Sequence, residues 1–124
     1  MNSERENQLV ALTGVPNVGK TTIFNHLTGL NQKVGNYPGV TVDKKIGKLK
    51  SGNHSLSIVD LPGTYNLYPR SEDEQVVFRV LCGLQKGLDV DSVLAVADMS
   101  NLERGLFLVT QLIDLGYPVA LILN

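Results

Sequence analysis

The chain has 124 residues, which is room for one domain with a single core. Its composition, 43% hydrophobic and 19% charged, excludes a disordered or fibrous protein. The net charge of -1 gives no reason to expect binding to nucleic acid or to an anionic membrane. The polar tail 1–7 contains no signal-peptide core, and no apolar run is long enough to span a membrane. The single cysteine, Cys82, is predicted on the buried side of a helix.

The first half of the chain predicts a strand, a helix, a long loop and a hairpin, in that order. The apolar run 8–13 enters a Gly-rich stretch, as a buried strand does, and apolar residues at helical spacing predict a helix over 20–30. Residues 31–41 carry Gly and Pro without periodicity, which predicts a mobile functional loop. Segments 42–50 and 55–60 flank a turn-rich tetrapeptide and predict an antiparallel hairpin.

The second half predicts two helices that alternate with two strands. Ser71 followed by Glu74 is a capping-box signature that starts a helix. A buried strand over 92–97, an amphipathic helix over 101–115 and an apolar strand over 118–124 follow. The order βαββαβαβ indicates an α/β fold with a mostly parallel sheet, one antiparallel hairpin strand and helices on both faces. Because the chain stops on an apolar strand, we expect the domain to be truncated before its last strand and helix.

The strongest motif is GVPNVGKT, residues 14–21, which fits the phosphate-binding loop pattern G-x-x-x-x-G-K-[ST]. It lies between a predicted strand and a predicted helix, as that loop requires. Gly14 and Gly19 let backbone N–H groups turn toward an anion at a helix N-terminus. Lys20 is predicted to reach the β- and γ-phosphates, and Thr21 offers a hydroxyl to Mg²⁺.

Three further features take meaning from their order after this loop. Asp60 ends a predicted strand and begins D-x-x-G, which places a carboxylate toward Mg²⁺ and the N–H of Gly63 toward a γ-phosphate. Thr41 lies in the Gly-Pro loop, where a GTPase supplies a threonine that closes on Mg²⁺ and the γ-phosphate. Asn124 ends the last hydrophobic strand. Each feature alone is common, and the order of all of them indicates a GTPase.

Within that class, three segments make the resemblance specific: VGNYPGVTV (34–42), DLPGTY (60–65) and SNLERGLFLVTQL (100–112). Together they resemble the G domain of the ferrous iron transport protein B (FeoB) family along nearly the whole chain. The resemblance implies a P-loop NTPase of the Ras-like G-domain fold, at the cytosolic N-terminus of a transporter in the bacterial cell membrane. It also implies a helical regulatory domain and a membrane domain as partners. Asn124 then resembles the first residue of the guanine-reading N-x-x-D motif.

The resemblance also implies a set of site residues, with 31–41 as switch I and 60–70 as switch II. The implied catalytic residues are Lys20, Thr41, Gly63 and Asn17. Thr21, Thr41 and Asp60 are the implied Mg²⁺ ligands. The residues expected to bind GTP or GDP are Gly14, Val15, Pro16, Asn17, Val18, Gly19, Lys20, Thr21, Thr22, Gly39, Val40, Thr41, Asp60, Leu61, Pro62, Gly63 and Asn124.

Two positions bear on the rate of hydrolysis. Thr64 stands where Ras-like enzymes carry a water-orienting Gln, so slow hydrolysis is expected. Asn17 resembles the asparagine with which potassium-activated GTPases hold K⁺, and its alternative is an Asn chosen for turn geometry. Two other functions stay open: a ribosome- or RNA-associated GTPase, and a nucleotide-gated binding module that does not hydrolyse GTP.

Overall fold

The computed structural model describes residues 7–51 and 53–124, and these form one α/β layer structure. A short 3₁₀ turn, Met99–Asn101, precedes the last helix. No helix in the described ranges is long and apolar enough to cross a membrane. The elements are β1 (Asn7–Gly14), α1 (Lys20–Thr28), β2 (Gln32–Asn36), β3 (Asp43–Ser51), β4 (His54–Asp60), α2 (Glu72–Leu81), β5 (Ser92–Ala97), α3 (Leu102–Asp114) and β6 (Val119–Leu123).

The strands form one sheet in the order β2-β3-β4-β1-β5-β6. β1 pairs in parallel with β4 and β5, and β5 pairs in parallel with β6. β3 pairs antiparallel with both β2 and β4, which confirms the predicted hairpin. Since Leu12 of β1 is in register with Asp60 of β4, the carboxyl ends of these strands meet at one edge. Ligands of open α/β sheets bind at that edge.

Helices cover both faces of the sheet, as predicted. On one face α1 buries Phe24 against Leu12, Ile58 and Val96. On the other face, α2 and α3 bury apolar side chains against β1, β4 and β5; those of the helices are Val76, Val77, Val80, Leu81, Leu108 and Leu112. The central strand is therefore buried on both sides, which explains why β1 reads as a continuous apolar run.

Local signals set where the helices begin and end. The predicted capping box is present, with the Ser71 hydroxyl accepting from Glu74 N at 3.1 Å, and it starts α2. The helix α1 ends at Thr28 rather than at Leu30, because Gly29 adopts a left-handed conformation with φ 59°. Asp98 accepts a hydrogen bond from Ser100 N at 2.9 Å and starts the turn that leads into α3.

Two sequence predictions are wrong. Residues 31–41 are not one loop, because 32–36 form β2 and pair with β3. β2 is an edge strand exposed over most of its length, so it lacks the apolar alternation that marks a strand. Cys82 lies at the C-terminal cap of α2 and is partly exposed rather than buried. The tail 1–6 and Gly52 of the hairpin turn lie outside the described residues.

Candidate functional site

The phosphate-binding loop joins β1 to α1 at the carboxyl edge of the sheet. Two residues turn its backbone through positive φ, Asn17 at 63° and Gly19 at 88°. Val15 and Val18 are buried beneath the loop, against the α1 face of the sheet, and fix it from below. The helix α1 has no side-chain cap among the described residues. Its first backbone N–H groups and the helix dipole therefore favour an anion at this position.

An ion pair connects this loop to the D-x-x-G segment. Lys20 Nζ lies 2.5 Å from Asp60 Oδ1, and the two side chains are only 10% and 7% exposed. Backbone hydrogen bonds hold the same two segments together, from Leu61 N to Leu12 O at 3.0 Å and from Thr64 N to Gly14 O at 2.9 Å. Lys20 and Asp60, 40 residues apart in sequence, therefore meet in one site.

Two adjoining cavities extend from this ion pair, one of about 380 Å³ and one of about 510 Å³. The first is lined by Lys20, Thr21, Thr41, Val42, Asp43, Lys45, Asp60, Leu61, Pro62, Gly63 and Asp73. The second follows the loop and is lined by Val15, Pro16, Asn17, Val18, Gly19, Lys20, Thr21, Thr22, Gly63 and Asp73. We call the two together the phosphate groove. It contains most of the predicted site residues.

Four predicted residues do not line the groove. Val40 packs instead against the core beneath α2 and lines a separate small cavity there. Gly39 has φ 78° and open space around its α-carbon, and it is absent from the groove lining. Gly14 lies underneath, where an added Cβ would be 2.7 Å from Val96 O. Asn124 follows β6 and contacts the loop at Val18 and Gly19.

The Asn124 side chain supports the loop directly. Its Nδ2 donates to Val18 O at 2.9 Å, and a Cβ on Gly19 would lie 2.5 Å from the same nitrogen. A side chain at position 19 would therefore meet both a positive φ and this amide. The sequence predicted Asn124 only as a base-reading residue, and the structure gives it a contact that shapes the phosphate-binding loop.

The residues that follow Asp60 are packed closely against the loop. A Cβ on Gly63 would be 2.9 Å from Pro16 Cα, so only glycine permits this approach. Thr64 is buried, and its hydroxyl donates to Asn66 O at 2.5 Å. The hydroxyl is therefore engaged within its own segment.

Thr41 is exposed at the open end of the groove, and its hydroxyl donates to Glu72 Oε1 at 3.3 Å. Sequence analysis missed three charged groove residues: Asp43 and Lys45 at the start of β3, and Asp73 in the first turn of α2. Their signal is topological, since Lys45 is in register with Asp60 across the β3–β4 pair.

Tyr37 anchors the segment that carries Thr41. Tyr37 is 2% exposed. Its backbone N donates to Val42 O at 3.0 Å, and its carbonyl oxygen accepts from Val40 N at 3.3 Å. Its hydroxyl is buried without a hydrogen-bond partner among the described residues. Burial, and secondarily the negative charge of Asp60, raise the pKa of Tyr37 to about 12.

The fold and the groove define a P-loop NTPase. Comparison with family profiles matches residues 8–124 to the family described as Ferrous iron transport protein B, and the chain belongs to that family. It is 45% identical over 115 residues to the Fe(2+) transporter FeoB of Shigella flexneri, covering 93% of this chain and 15% of that protein. The chain thus spans about a seventh of the length of the curated relatives that it matches.

Solved structures of relatives have the same fold. The G domain of the T. maritima FeoB iron transporter matches with a TM-score of 0.86 and 44% identity, over 94% of this chain and 71% of that one. A mutant of S. thermophilus NFeoB bound to GDP matches with a TM-score of 0.84 and 49% identity, over 94% of this chain and 43% of that one. These likenesses confirm the predicted fold class and the predicted family.

Proposed function

We propose that this chain is the GTP-binding and GTP-hydrolysing switch domain of a ferrous iron transporter, converting GTP and water to GDP and phosphate. The observation that carries the proposal is the Lys20–Asp60 contact, which brings the phosphate-binding loop and D-x-x-G into one groove. The GDP-bound relative supports a guanine nucleotide as the ligand. Family membership favours a position on the cytosolic side of a bacterial cell membrane, with a helical regulatory domain and a membrane domain as partners.

The groove residues divide the work of phosphate binding. The backbone of 14–19 and the N-terminus of α1 hold the β-phosphate, and Lys20 moves from Asp60 to the β- and γ-phosphate oxygens. The N–H of Gly63 donates to the γ-phosphate, which the close packing on Pro16 allows. Water then attacks the γ-phosphate in line with the leaving oxygen.

The groove also suits Mg²⁺. Thr21, Thr41 and Asp60 place two hydroxyls and one carboxylate around the same cavity, and such oxygen ligands shared with phosphates are those that Mg²⁺ uses. When bound, the ion neutralises charge that develops on the phosphates. Of the predicted switch I, 31–41, we assign the moving part to 37–42, since 32–36 are paired in β2. Switch II remains 60–70.

We further propose that K⁺ activates hydrolysis through the Asn17 side-chain oxygen. Asn17 is exposed on the groove, and it also has φ 63°, a conformation that Asn tolerates for turn geometry alone. The variants Asn17→Gly and Asn17→Asp separate the two roles, because both accept positive φ and only the second keeps an oxygen. Turnover of GTP in matched KCl and NaCl should show a K⁺ preference in wild type and in Asn17→Asp. Asn17→Gly should lose this preference, and its turnover in KCl should fall by about 10²-fold if the Asn17–K⁺ contact acts on charge that develops in the transition state.

If Asn17→Gly keeps the full K⁺ preference, Asn17 is a turn residue only. A second candidate function is a nucleotide-gated binding module without hydrolysis, which the engagement of Thr64 with Asn66 favours. Single-turnover hydrolysis of bound GTP distinguishes the two. GDP formation that is faster than in buffer and depends on Lys20 supports the enzyme, and GTP that remains intact supports the module.

A further inference from the structure

The β2–β3 ribbon, residues 32–36 and 43–51, is strongly basic in a chain of near-neutral net charge. Residues 31–51 contain five of the 11 Lys and Arg residues of the chain and only one acid, Asp43. The rest of the molecule is correspondingly acidic. The near-neutral net charge is therefore an average over an acidic part and a basic ribbon, and the positive potential of the ribbon attracts negatively charged partners to one end of the sheet.

The lysines on this ribbon surround a groove rather than a flat face. A concavity of about 510 Å³ is lined by Asn31, Gln32, Lys33, Val34, Gly35, Asn36, Lys44, Ile46 and Lys48. Strand alternation places Lys44, Ile46 and Lys48 on one face of β3, and Lys33 joins them because it is in register with Ile46. Lys33 and Lys48 are exposed. This arrangement gives three positive charges around one apolar side chain.

The groove opens on a free sheet edge. β2 is the first strand in the sheet order and pairs, within the described residues, only with β3. Val34 is 66% exposed, and a Cβ at Gly35 would meet nothing within 4 Å. Gly35 is in register with Lys44, so nothing on β2 separates Lys44 from the edge. An exposed edge of this kind accepts an added strand through main-chain hydrogen bonds.

We propose that the β2 edge is a docking site for an extended acidic polypeptide segment, which adds as a strand and places alternate carboxylates against Lys33, Lys44 and Lys48. The two-residue period of a strand matches the spacing of the lysines along the ribbon. A concave strand edge fits a peptide better than it fits the plane of an anionic membrane. β2 and β3 are also the two arms of the segment 37–42, so a bound strand would hold the proposed switch I at both ends.

The test uses two synthetic peptides with purified protein. One is an eight-residue peptide of alternating glutamate and valine, and the other has the same sequence with a methyl group on every backbone nitrogen, which removes the donors from both edges of the strand. Binding is measured by calorimetry at low salt and by chemical shifts of the β2 amides. We expect the first peptide to bind at β2, to weaken as KCl increases, and the methylated peptide not to bind.

Charge reversal supplies matched variants. Lys33→Glu with Lys48→Glu should weaken peptide binding at least about tenfold, while Lys86→Glu, at an exposed lysine of the α2–β5 connection, should leave it within about twofold. Vesicles of phosphatidylserine and phosphatidylcholine provide the competing ligand. Absence of peptide binding, equal binding of the methylated peptide, or lysine-dependent binding to vesicles alone would each overturn the proposal.

Discussion

Single buried residues in this site have stability costs that can be measured. The hydroxyl of Tyr37 is buried and has no partner in the part of the chain that the structure describes, and an unsatisfied polar group of this kind costs about 1–3 kcal/mol. Tyr37→Phe keeps the ring and removes the hydroxyl. We therefore expect this variant to be more stable than wild type by about 1 kcal/mol in urea denaturation at pH 8. A loss of stability would show that the hydroxyl has a partner in solution.

The same tyrosine predicts a pH dependence. Its pKa is raised from 10.0 to about 12, so the folded protein favours the neutral phenol. The unfolded chain releases the tyrosine proton near pH 10, whereas the folded chain releases it only near pH 12. The free energy of unfolding is therefore unaffected by this group below pH 10 and falls as pH rises from 10 toward 12. The stability difference between Tyr37→Phe and wild type should therefore increase with pH above about 10. A constant difference measured between pH 8 and pH 11 would contradict it.

The Lys20–Asp60 pair predicts a different outcome for single and double variants. Lys20→Met should abolish binding of GTP and GDP, and it also leaves the Asp60 carboxylate, 7% exposed, without its cation. Breaking one partner of such a buried pair costs about 3–5 kcal/mol. Asp60→Asn in the same chain should recover most of that stability and none of the nucleotide affinity. Recovery of affinity in the double variant would remove Lys20 from the phosphate site.

At the scale of elements, the proposed switch should be shorter than its sequence signature. Within 32–36, the amides that donate to β3 should be protected from hydrogen exchange with either nucleotide. Amides of 37–42 should slow with a GTP analogue and not with GDP, because Thr41 must leave Glu72 to close on the γ-phosphate end of the groove. Hydrogen exchange followed by mass spectrometry measures both segments. Equal protection of 37–42 in the two states would count against a switch.

The sequence predicted helices and strands well where local signals and burial agree. It predicted them poorly where a strand is ordered only by its hydrogen bonds to a neighbouring strand. The capping box at Ser71 and the buried run of β1 are local signals, and both predictions are confirmed. β2 was missed because an exposed edge strand gains its order from β3 and carries no periodicity of its own. Asp73 and Lys45 were missed in the groove for a related reason, since only the fold brings them there.

At the scale of the whole molecule, the second edge of the sheet differs from the first in chemistry. β6 is the last strand in the sheet order, and its Leu121 and Leu123 are 39% and 50% exposed. α3, which packs beside β6, also exposes Leu106 and Ile113. The β2–β3 ribbon carries Lys33, Lys44 and Lys48, whereas β6 carries no lysine, and an apolar edge strand promotes association between chains.

The 124-residue chain should therefore self-associate through β6, with little dependence on KCl concentration, because β6 carries no charge for salt to screen. Leu121→Lys places a charge on the exposed edge, the device by which natural edge strands avoid pairing, and should shift the chain to monomer. Leu84→Lys is the matched control, since Leu84 is 60% exposed but lies in the turn after α2 rather than on a strand. Sedimentation velocity at several protein concentrations measures the change. If both variants reduce association equally, exposed apolar area drives it and the free edge of β6 has no special part.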